Sequence, residues 1–263
     1  MRKCIALLAI AGTAGSALAG GTVLGRDVST DAGIFLSRTS NLGSTFTNGN
    51  LDTWGGGDAF GIMTRNIGVG SGVPFDLLDD SVSIFTGDTI GIIAEGDNDP
   101  FFGIEDVLNA ANPNSDAVAT WSFDVAGYTG LEFSADFAAM GDFEGGDGNV
   151  FEYRFDGAGA WTTFLSTTID EAGFQDYTMD NGSITTLNDP MLLNGVMLTN
   201  EFVNFSEAIA GSGSVLEIRL TSTMDAGGEV FAFRNLEITG VPAPSSLALL
   251  GLGGFAAARR RRA

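Results

Sequence analysis

The feature that most constrains the fold is an alternation of apolar and polar residues that recurs along the chain. In the clearest segment, residues 131–137, every second side chain is apolar and the others are Glu, Ser and Asp. The same period of two runs through residues 151–156 and 216–221. Successive side chains of a strand point to opposite faces of a sheet, so this pattern predicts antiparallel strands with one buried and one wet face.

Glycine-rich turn signals separate these segments, for example at residues 55–58 and 145–148. Together with short apolar runs they are typical of an all-β protein, and we expect an antiparallel two-sheet sandwich that resembles a jelly roll. The loop Asp156–Ala160 predicts a hairpin between residues 150–155 and 161–165. Residues 104–110 favour a helical turn. Further strands are predicted at 59–65, 82–85, 89–94, 117–125 and 230–239.

The first 19 residues have the pattern of a secretory signal peptide. Arg2 and Lys3 precede an apolar run, and the segment ends in the small-x-small pattern of Ala17 and Ala19. Such a segment is read by the Sec translocon and removed after export. We therefore predict a signal peptide at residues 1–19 and a folded body at residues 20–240.

The other end of the chain, residues 241–263, combines prolines, a short apolar run and positive charge. The apolar run, residues 247–258, is 12 residues long, whereas a comfortable membrane-spanning helix needs about 17 to 25. It therefore predicts a transient or marginal transmembrane helix, with the arginines on the cytoplasmic side and the body outside. The predicted sorting residues are Pro242, Pro244, Ser245, Ser246, Arg259, Arg260, Arg261 and Arg262.

This order of prolines, apolar helix and arginine cluster resembles the PEP-CTERM sorting signal, with Ala243 where the family usually has Glu. The resemblance covers only about the last two dozen residues. It implies an exosortase-type protease that removes the tail, and a final location at the cell surface or in the extracellular matrix. An ordinary single-pass tail anchor is the alternative.

Composition excludes several kinds of function. All 33 acidic residues lie in the body, which retains six arginines, no lysine and no histidine, while the only cysteine, Cys4, lies in the signal peptide. A body this acidic would be repelled by phosphate backbones, so we expect no nucleic-acid partner. Without histidine or cysteine, nucleophilic triads, thiol catalysis and histidine or cysteine zinc sites are excluded.

Two acidic loops are candidate metal sites, since calcium takes six to eight oxygen ligands and glycine lets backbone carbonyls turn inward. Neither loop has the spacing of an EF-hand, and solvated acidic turns are the alternative. A calcium ion here would be structural and is the one cofactor we consider. The candidate ligands are Glu95, Asp97, Asp99, Asp142, Glu144 and Asp147.

Carboxylate pairs and exposed aromatic residues raise two further possibilities. Glu132 and Asp136, or Glu152 and Asp156, share one face of a strand, as an acid-pair glycoside hydrolase would need, but alternating strands in an acidic protein also produce such pairs by chance. Trp54 lies beside Gly55 in a predicted loop and is the candidate for stacking on a sugar ring.

The order of segments over about residues 95–240 resembles exported jelly-roll modules of the carbohydrate-binding type, on the patterns at residues 121–128 and 231–238. This resemblance implies fold more than ligand. Our leading hypothesis is a non-enzymatic structural or adhesive protein of the cell surface or extracellular matrix. A carbohydrate-binding module for exopolysaccharide is the first alternative, and an acid-pair hydrolase is the second.

Overall fold

The computed structural model describes residues 21–42, 58–65, 73–108 and 114–244. Within these ranges the chain forms fifteen strands and one short 3-10 helix at Phe75–Leu77. The strands are β1 Thr22–Asp27, β2 Ser37–Ser40, β3 Ala59–Met63, β4 Phe101–Glu105, β5 Ala117–Asp124, β6 Tyr128–Met140, β7 Asn149–Phe155, β8 Ala158–Ile169, β9 Phe174–Thr178, β10 Ile184–Asn188, β11 Met191–Leu193, β12 Val196–Met197, β13 Val203–Ile209, β14 Val215–Ser222 and β15 Val230–Pro242.

The strands form two larger sheets and one separate hairpin. The six-stranded sheet has the order β13-β6-β15-β4-β3, and β1 also pairs with β15. The seven-stranded sheet has the order β12-β11-β8-β7-β14-β5-β2, while β9 and β10 pair only with each other. All of these strand pairings are antiparallel. The structure confirms the predicted fold class.

The inner faces of the two large sheets enclose an aromatic core. Phe233 of the six-stranded sheet packs against Phe151 and Trp121 of the other sheet, with ring centroids 5.6 and 6.0 Å apart. Phe137 contacts Phe151 in the same way, at 5.5 Å. Burial in β5 and β14 alternates residue by residue, which is the half-buried pattern that the sequence predicts.

A second apolar layer covers one end of the outer face of the six-stranded sheet. There β6 and β15 present small side chains, including Ala138 and Ala232, both fully buried. Residues 77–93 and the β9–β10 hairpin supply the larger side chains that pack on them, among them Leu77 and Tyr177. This end of the sheet is buried on both faces, which explains why residues 137–140 are buried without alternation.

Three local predictions were wrong. Residues 82–85 and 89–94 form turns and loop, apart from one isolated bridge between Leu78 and Ile93. Residues 104 and 105 end strand β4, and no helix follows in the described residues 106–108. A strand buried on both faces, as β4 is, loses its alternation, and periodicity cannot then separate it from a buried helical segment.

The β7–β8 hairpin is confirmed, with a shorter loop than predicted. Asp156 and Gly157 both have positive φ, 54° and 64°, and Phe155 already pairs with Ala158. Two central residues with positive φ are typical of the two-residue type I′ turn, whose twist matches that of the strands. The extra residues of the predicted loop belong to β8.

In the described part of the chain, no helix has the length and apolar character needed to cross a membrane. The predicted signal peptide and the predicted apolar helix at residues 247–258 lie outside the described residues.

Candidate functional site

Four carboxylates meet at one end of the sandwich. Two connections between interior strands of the large sheets cross at this end: residues 141–148 join β6 to β7, and residues 223–229 join β14 to β15. Because β7 pairs with β14 and β6 pairs with β15, the two crossings run side by side. Each crossing contributes two carboxylates, and one oxygen from each of the four lies within 4.8 Å of the others. This acidic cluster consists of Glu144, Asp147, Asp225 and Glu229.

Asp147 organises both crossings. One of its oxygens accepts the backbone N–H of Glu144 at 2.7 Å, and the other accepts the backbone N–H of Asp225 at 3.2 Å. Thr223 donates its backbone N–H to the carbonyl of Gly148 at 2.9 Å. Asp147 is 5% exposed, so its carboxylate is a buried acceptor that holds the second crossing against the first.

Gly141 lets the crossings approach this closely. A Cβ at this position would lie 3.0 Å from Cα and 3.1 Å from Cγ of Glu229. Contacts this short would force one crossing away from the other, since packed interiors have no spare volume. A glycine at the end of β6 is therefore part of the geometry that brings Glu229 into the cluster.

The electrostatics of the cluster disfavour ionisation. Burial, together with the neighbouring Glu144 and Asp147, raises the pKa of Glu229 to about 10. Burial also raises the pKa of Asp147, although the backbone N–H groups that it accepts act in the opposite direction. Without a counter-ion, at least one of these carboxyl groups carries a proton near neutral pH.

Two of the six metal ligands that the sequence predicts, Glu144 and Asp147, belong to this cluster. Asp142 comes from the same loop but is exposed and lies outside the cluster. Sequence reasoning missed Asp225 and Glu229. The available signal was the acidic, glycine-containing loop at residues 225–229, which is similar in composition to residues 144–148.

Two of the other predicted ligands, Glu95 and Asp97, have protein partners. Glu95 accepts the hydroxyl of Ser83 at 2.6 Å. Asp97 forms an ion pair with Arg234 at 2.6 Å and accepts the backbone N–H of Asp99 at 3.0 Å. These bonds fix the loop after residue 94, and the three carboxylates do not form a metal-ligating group among the described residues.

Three of the four carboxylates considered for a hydrolase are engaged, whereas Glu132 is exposed. Asp156 does not share a strand face with Glu152, because it lies in the β7–β8 turn and accepts the backbone N–H groups of Ser214 and Val215 at 2.8 and 2.9 Å. Asp136 accepts the side-chain amides of Asn204 and Asn235 at 2.8 and 2.7 Å. Glu152 accepts two bonds from Arg219, at 2.9 and 2.5 Å. Both bonds end on Oε2 of Glu152, so this carboxylate is already occupied by an ion pair.

A second surface feature lies on the outer face of the seven-stranded sheet. Arg154 of β7 and Arg219 of β14 point outward from neighbouring strands, and both guanidinium groups lie over the ring of Trp161, at 4.2 and 4.3 Å from its centroid. Glu217 and Glu152 pair with these arginines at 2.5 Å. Trp161 is partly exposed, so an aromatic surface and four charged groups share one sheet face.

Pro242 is the last residue of β15, where it pairs with Tyr128, and Pro244 is the last described residue of the chain. Predicted residues that lie outside the described ranges are Ala17, Ala19, Trp54, Ser245, Ser246, Arg259, Arg260, Arg261 and Arg262.

Fold and site together define an all-β sandwich with an acidic cluster at one end of its strands, in which the last strand leads directly into the proline motif. Residues 240–262 match the PEP-CTERM protein-sorting motif, which confirms the resemblance of the tail. The chain thus carries the sorting tail of an exported protein that is sorted through the membrane. No curated protein matches this chain.

Solved structures similar to this chain include β-sandwich carbohydrate-binding modules and an adhesin domain. The K2 cleaved adhesin domain of Lys-gingipain has 12% identity and a TM-score of 0.38, covering 78% of this chain and 98% of its own. TmCBM61 in complex with β-1,4-galactotriose has 9% identity and a TM-score of 0.29, covering 56% and 74%. The CBM22-1 and GH10 modules of Clostridium thermocellum xylanase 10B, complexed with xylohexaose, have 8% identity and a TM-score of 0.26, covering 57% and 23%.

Proposed function

We propose that this chain is a non-enzymatic structural or adhesive component of the cell surface or extracellular matrix, delivered by its sorting tail. The observation that carries the proposal is the direct continuity of the folded body with that tail. The sandwich is paired through Pro242, and the matched sorting motif begins at residue 240. An exosortase-type protease would therefore act immediately beside a folded domain and release it as a unit.

The inventory of side chains supports a non-enzymatic role. The body has neither histidine nor cysteine. One acid of each predicted pair, Asp136 and Glu152, is engaged by asparagine or arginine side chains. What the described surface offers is a broad array of charged and aromatic groups on a rigid sheet, which suits binding or assembly better than bond cleavage.

Tail processing tests the proposed delivery. In a host with an exosortase-type protease, we expect the full-length chain to leave the membrane fraction with an intact mass that lacks the apolar helix and the arginines. Replacing the four arginines at 259–262 by glutamine should keep the tail attached and the protein in the membrane fraction. The matched control replaces Arg154 and Arg219 by glutamine, which should not change processing. Equal mass and location for all three proteins would contradict the proposal.

Carbohydrate binding is the second candidate, and the Trp161 face favours it. Aromatic rings stack on pyranose rings, and a sugar would stack on the part of the Trp161 ring that the guanidinium groups of Arg154 and Arg219 do not cover. The arginines and their paired glutamates are suited to hydrogen-bond sugar hydroxyls. Both kinds of group are held by β7, β8 and β14, strands of one continuous sheet. Specific sites are usually held by such rigid elements.

We expect Trp161→Ala to weaken binding of the exported chain to exopolysaccharide at least about tenfold, which corresponds to about 1.4 kcal/mol. Affinity electrophoresis on gels that contain the polysaccharide measures this loss. Trp54→Ala is the matched variant, because Trp54 is the stacking residue that the sequence predicts. If only Trp54→Ala loses polysaccharide binding, the sugar site does not lie on this sheet face. If both variants bind as the unmodified chain does, neither tryptophan stacks on the sugar.

A further inference from the structure

The acidic cluster has no protein cation to neutralise it. The body contains six arginines and no lysine or histidine. Every one of the six arginines lies in the described residues and forms an ion pair with an acid outside the cluster. These pairs are Arg26 with Asp31 and Glu237, Arg38 with Asp27, Arg65 with Asp80, Arg154 with Glu217, Arg219 with Glu152 and Arg234 with Asp97.

Glu229 adds an independent indication that the cluster takes a ligand. It is 3% exposed, and its Oε2 atom is buried without a hydrogen-bond partner, although an oxygen of the same carboxylate lies within 4.8 Å of the other three carboxylates. Buried polar atoms in folded proteins almost always have partners. When Glu229 is ionised, this acceptor, buried beside three further acceptors, requires a donor or a cation, and the described residues supply neither at Oε2.

The number and spacing of the oxygens are compatible with calcium. Calcium binds oxygen at 2.3 to 2.6 Å, so ligands on opposite sides of one ion lie roughly 4.6 to 5.2 Å apart. The limit of 4.8 Å within the cluster lets all four carboxylates reach one central calcium ion. Magnesium requires near-ideal octahedral geometry, usually retains several waters and is bound through one or two carboxylates, so four carboxylates suit calcium better.

We propose that Glu144, Asp147, Asp225 and Glu229 form a structural calcium site that joins the two crossings between the sheets. The ion takes one or two oxygens from each carboxylate, and water completes its shell on the side of the exposed Glu144 and Asp225. The proposal goes beyond the proposed surface role, because it concerns what holds the sandwich closed whatever the chain binds.

Thermal unfolding of the full-length chain tests the site. With calcium chloride at about 100 times its dissociation constant, we expect a melting temperature about 5 to 10 °C above that in chelator. Magnesium at the same concentration should give a smaller rise. Titration calorimetry of the chelator-treated chain should show one high-affinity calcium ion.

Four variants locate the site. Asp225→Asn and Glu229→Gln should each reduce the calcium-dependent rise in melting temperature at least by half and weaken calcium binding at least about tenfold. The controls are Asp142→Asn, an exposed acid of the same loop, and Glu132→Gln, an exposed acid of β6. Both controls should keep the full response.

The outcomes that overturn the proposal are specific. No calcium-dependent rise in the unmodified chain, or a full response in Asp225→Asn, would remove the site. A response lost in Asp142→Asn but kept in Asp225→Asn would place the ion elsewhere in the loop. Because Asp225 is exposed, its variant remains informative even where Glu229→Gln fails to fold. Tail processing and location are measured separately, so the proposed surface role can fail or stand independently.

Discussion

Replacing Asp27 by alanine should lower the free energy of unfolding by about 3 kcal/mol, at the lower end of the range for breaking a buried ion pair. Asp27 ends β1 in the six-stranded sheet and is 5% exposed. Its carboxylate accepts two bonds from Arg38, at 2.8 and 3.0 Å, and one from the indole N–H of Trp121, at 2.8 Å. Both partners belong to the seven-stranded sheet, so this one carboxylate links the sheets across the sandwich.

The cost of Asp27→Ala arises from what the substitution leaves behind. Arg38 loses its ion-pair partner, and the buried Trp121 loses this hydrogen-bond acceptor. Arg38 is 23% exposed and regains some hydration, which is why we expect the lower end of the range. Urea unfolding followed by tryptophan fluorescence measures the change in midpoint at constant slope.

Asp31→Ala is the matched control for this prediction. Asp31 also pairs with an arginine, Arg26, at 2.6 Å, but its side chain is 68% exposed. Exposed ion pairs contribute about 0 to 1 kcal/mol. Equal losses in the two variants would show that Asp27 acts as an ordinary surface carboxylate and would contradict the assignment of a link between the sheets.

The strands that sequence predicts best are those with one wet face. In β5 and β14 every second residue is buried, and in β7 the alternation holds as far as Tyr153. The sequence shows the same alternation of apolar and polar residues. The segment at residues 82–85 has similar apolar content but forms turns. Its apolar side chains include Val82, Ile84 and Phe85, all of them exposed, so apolar content alone did not indicate burial there.

The acidic cluster shows why a site is harder to predict than a strand. Glu144 and Asp147 lie three positions apart in a glycine-rich loop, and composition alone selects them. Asp225 follows Asp147 by 78 positions, and only the pairing of β7 with β14 brings the two together. A single sequence contains no information on that register, whereas the alternation of a strand is local.

The same limit applies to the loop at residues 95–99. Its composition suits calcium as well as that of residues 142–147 does, but Arg234 lies 137 positions from Asp97 and takes that carboxylate for an ion pair. The body has six arginines for 33 acids. Tertiary contacts decide which of these acids form an ion pair with an arginine. The acids that remain without one are the better metal candidates, and they can be recognised only in the folded chain.

The second large effect expected is a pH dependence caused by Glu105. This residue of β4 is 1% exposed, and its Oε2 atom has no hydrogen-bond partner. Burial, followed by the charges of Asp76, Asp106 and Asp58, raises the pKa of Glu105 from 4.5 to about 9, against the opposing effect of the backbone N–H of Gly228. The folded protein therefore keeps a proton that the unfolded chain releases at much lower pH.

The sign follows from this difference in bound protons. The stabilising contribution of Glu105 is fully present below pH 4.5 and is lost as the pH rises toward about 9, because the folded state binds more protons than the unfolded state in that window. The loss amounts to about 1.4 kcal/mol per pH unit for one group. Gln at position 105 cannot ionise. The free energy of unfolding of Glu105→Gln, relative to that of the unmodified chain, should therefore rise by about that amount per pH unit between these limits and level off above them.

Urea unfolding of both proteins across this pH range, in chelator throughout, measures the difference. Glu132→Gln is the control, since Glu132 is an exposed acid of the same type. Asp88, Asp147 and Glu229 also have raised pKa values but are present in both proteins, so the difference curve reports Glu105 together with the acids coupled to it, Asp76, Asp106 and Asp58. Parallel stability curves for Glu105→Gln and the unmodified chain would show that Glu105 is ionised in the fold. The loop of residues 225–229 would then lie against a buried negative charge, because Gly228 donates its backbone N–H to Glu105. Solvent would have to stabilise that charge.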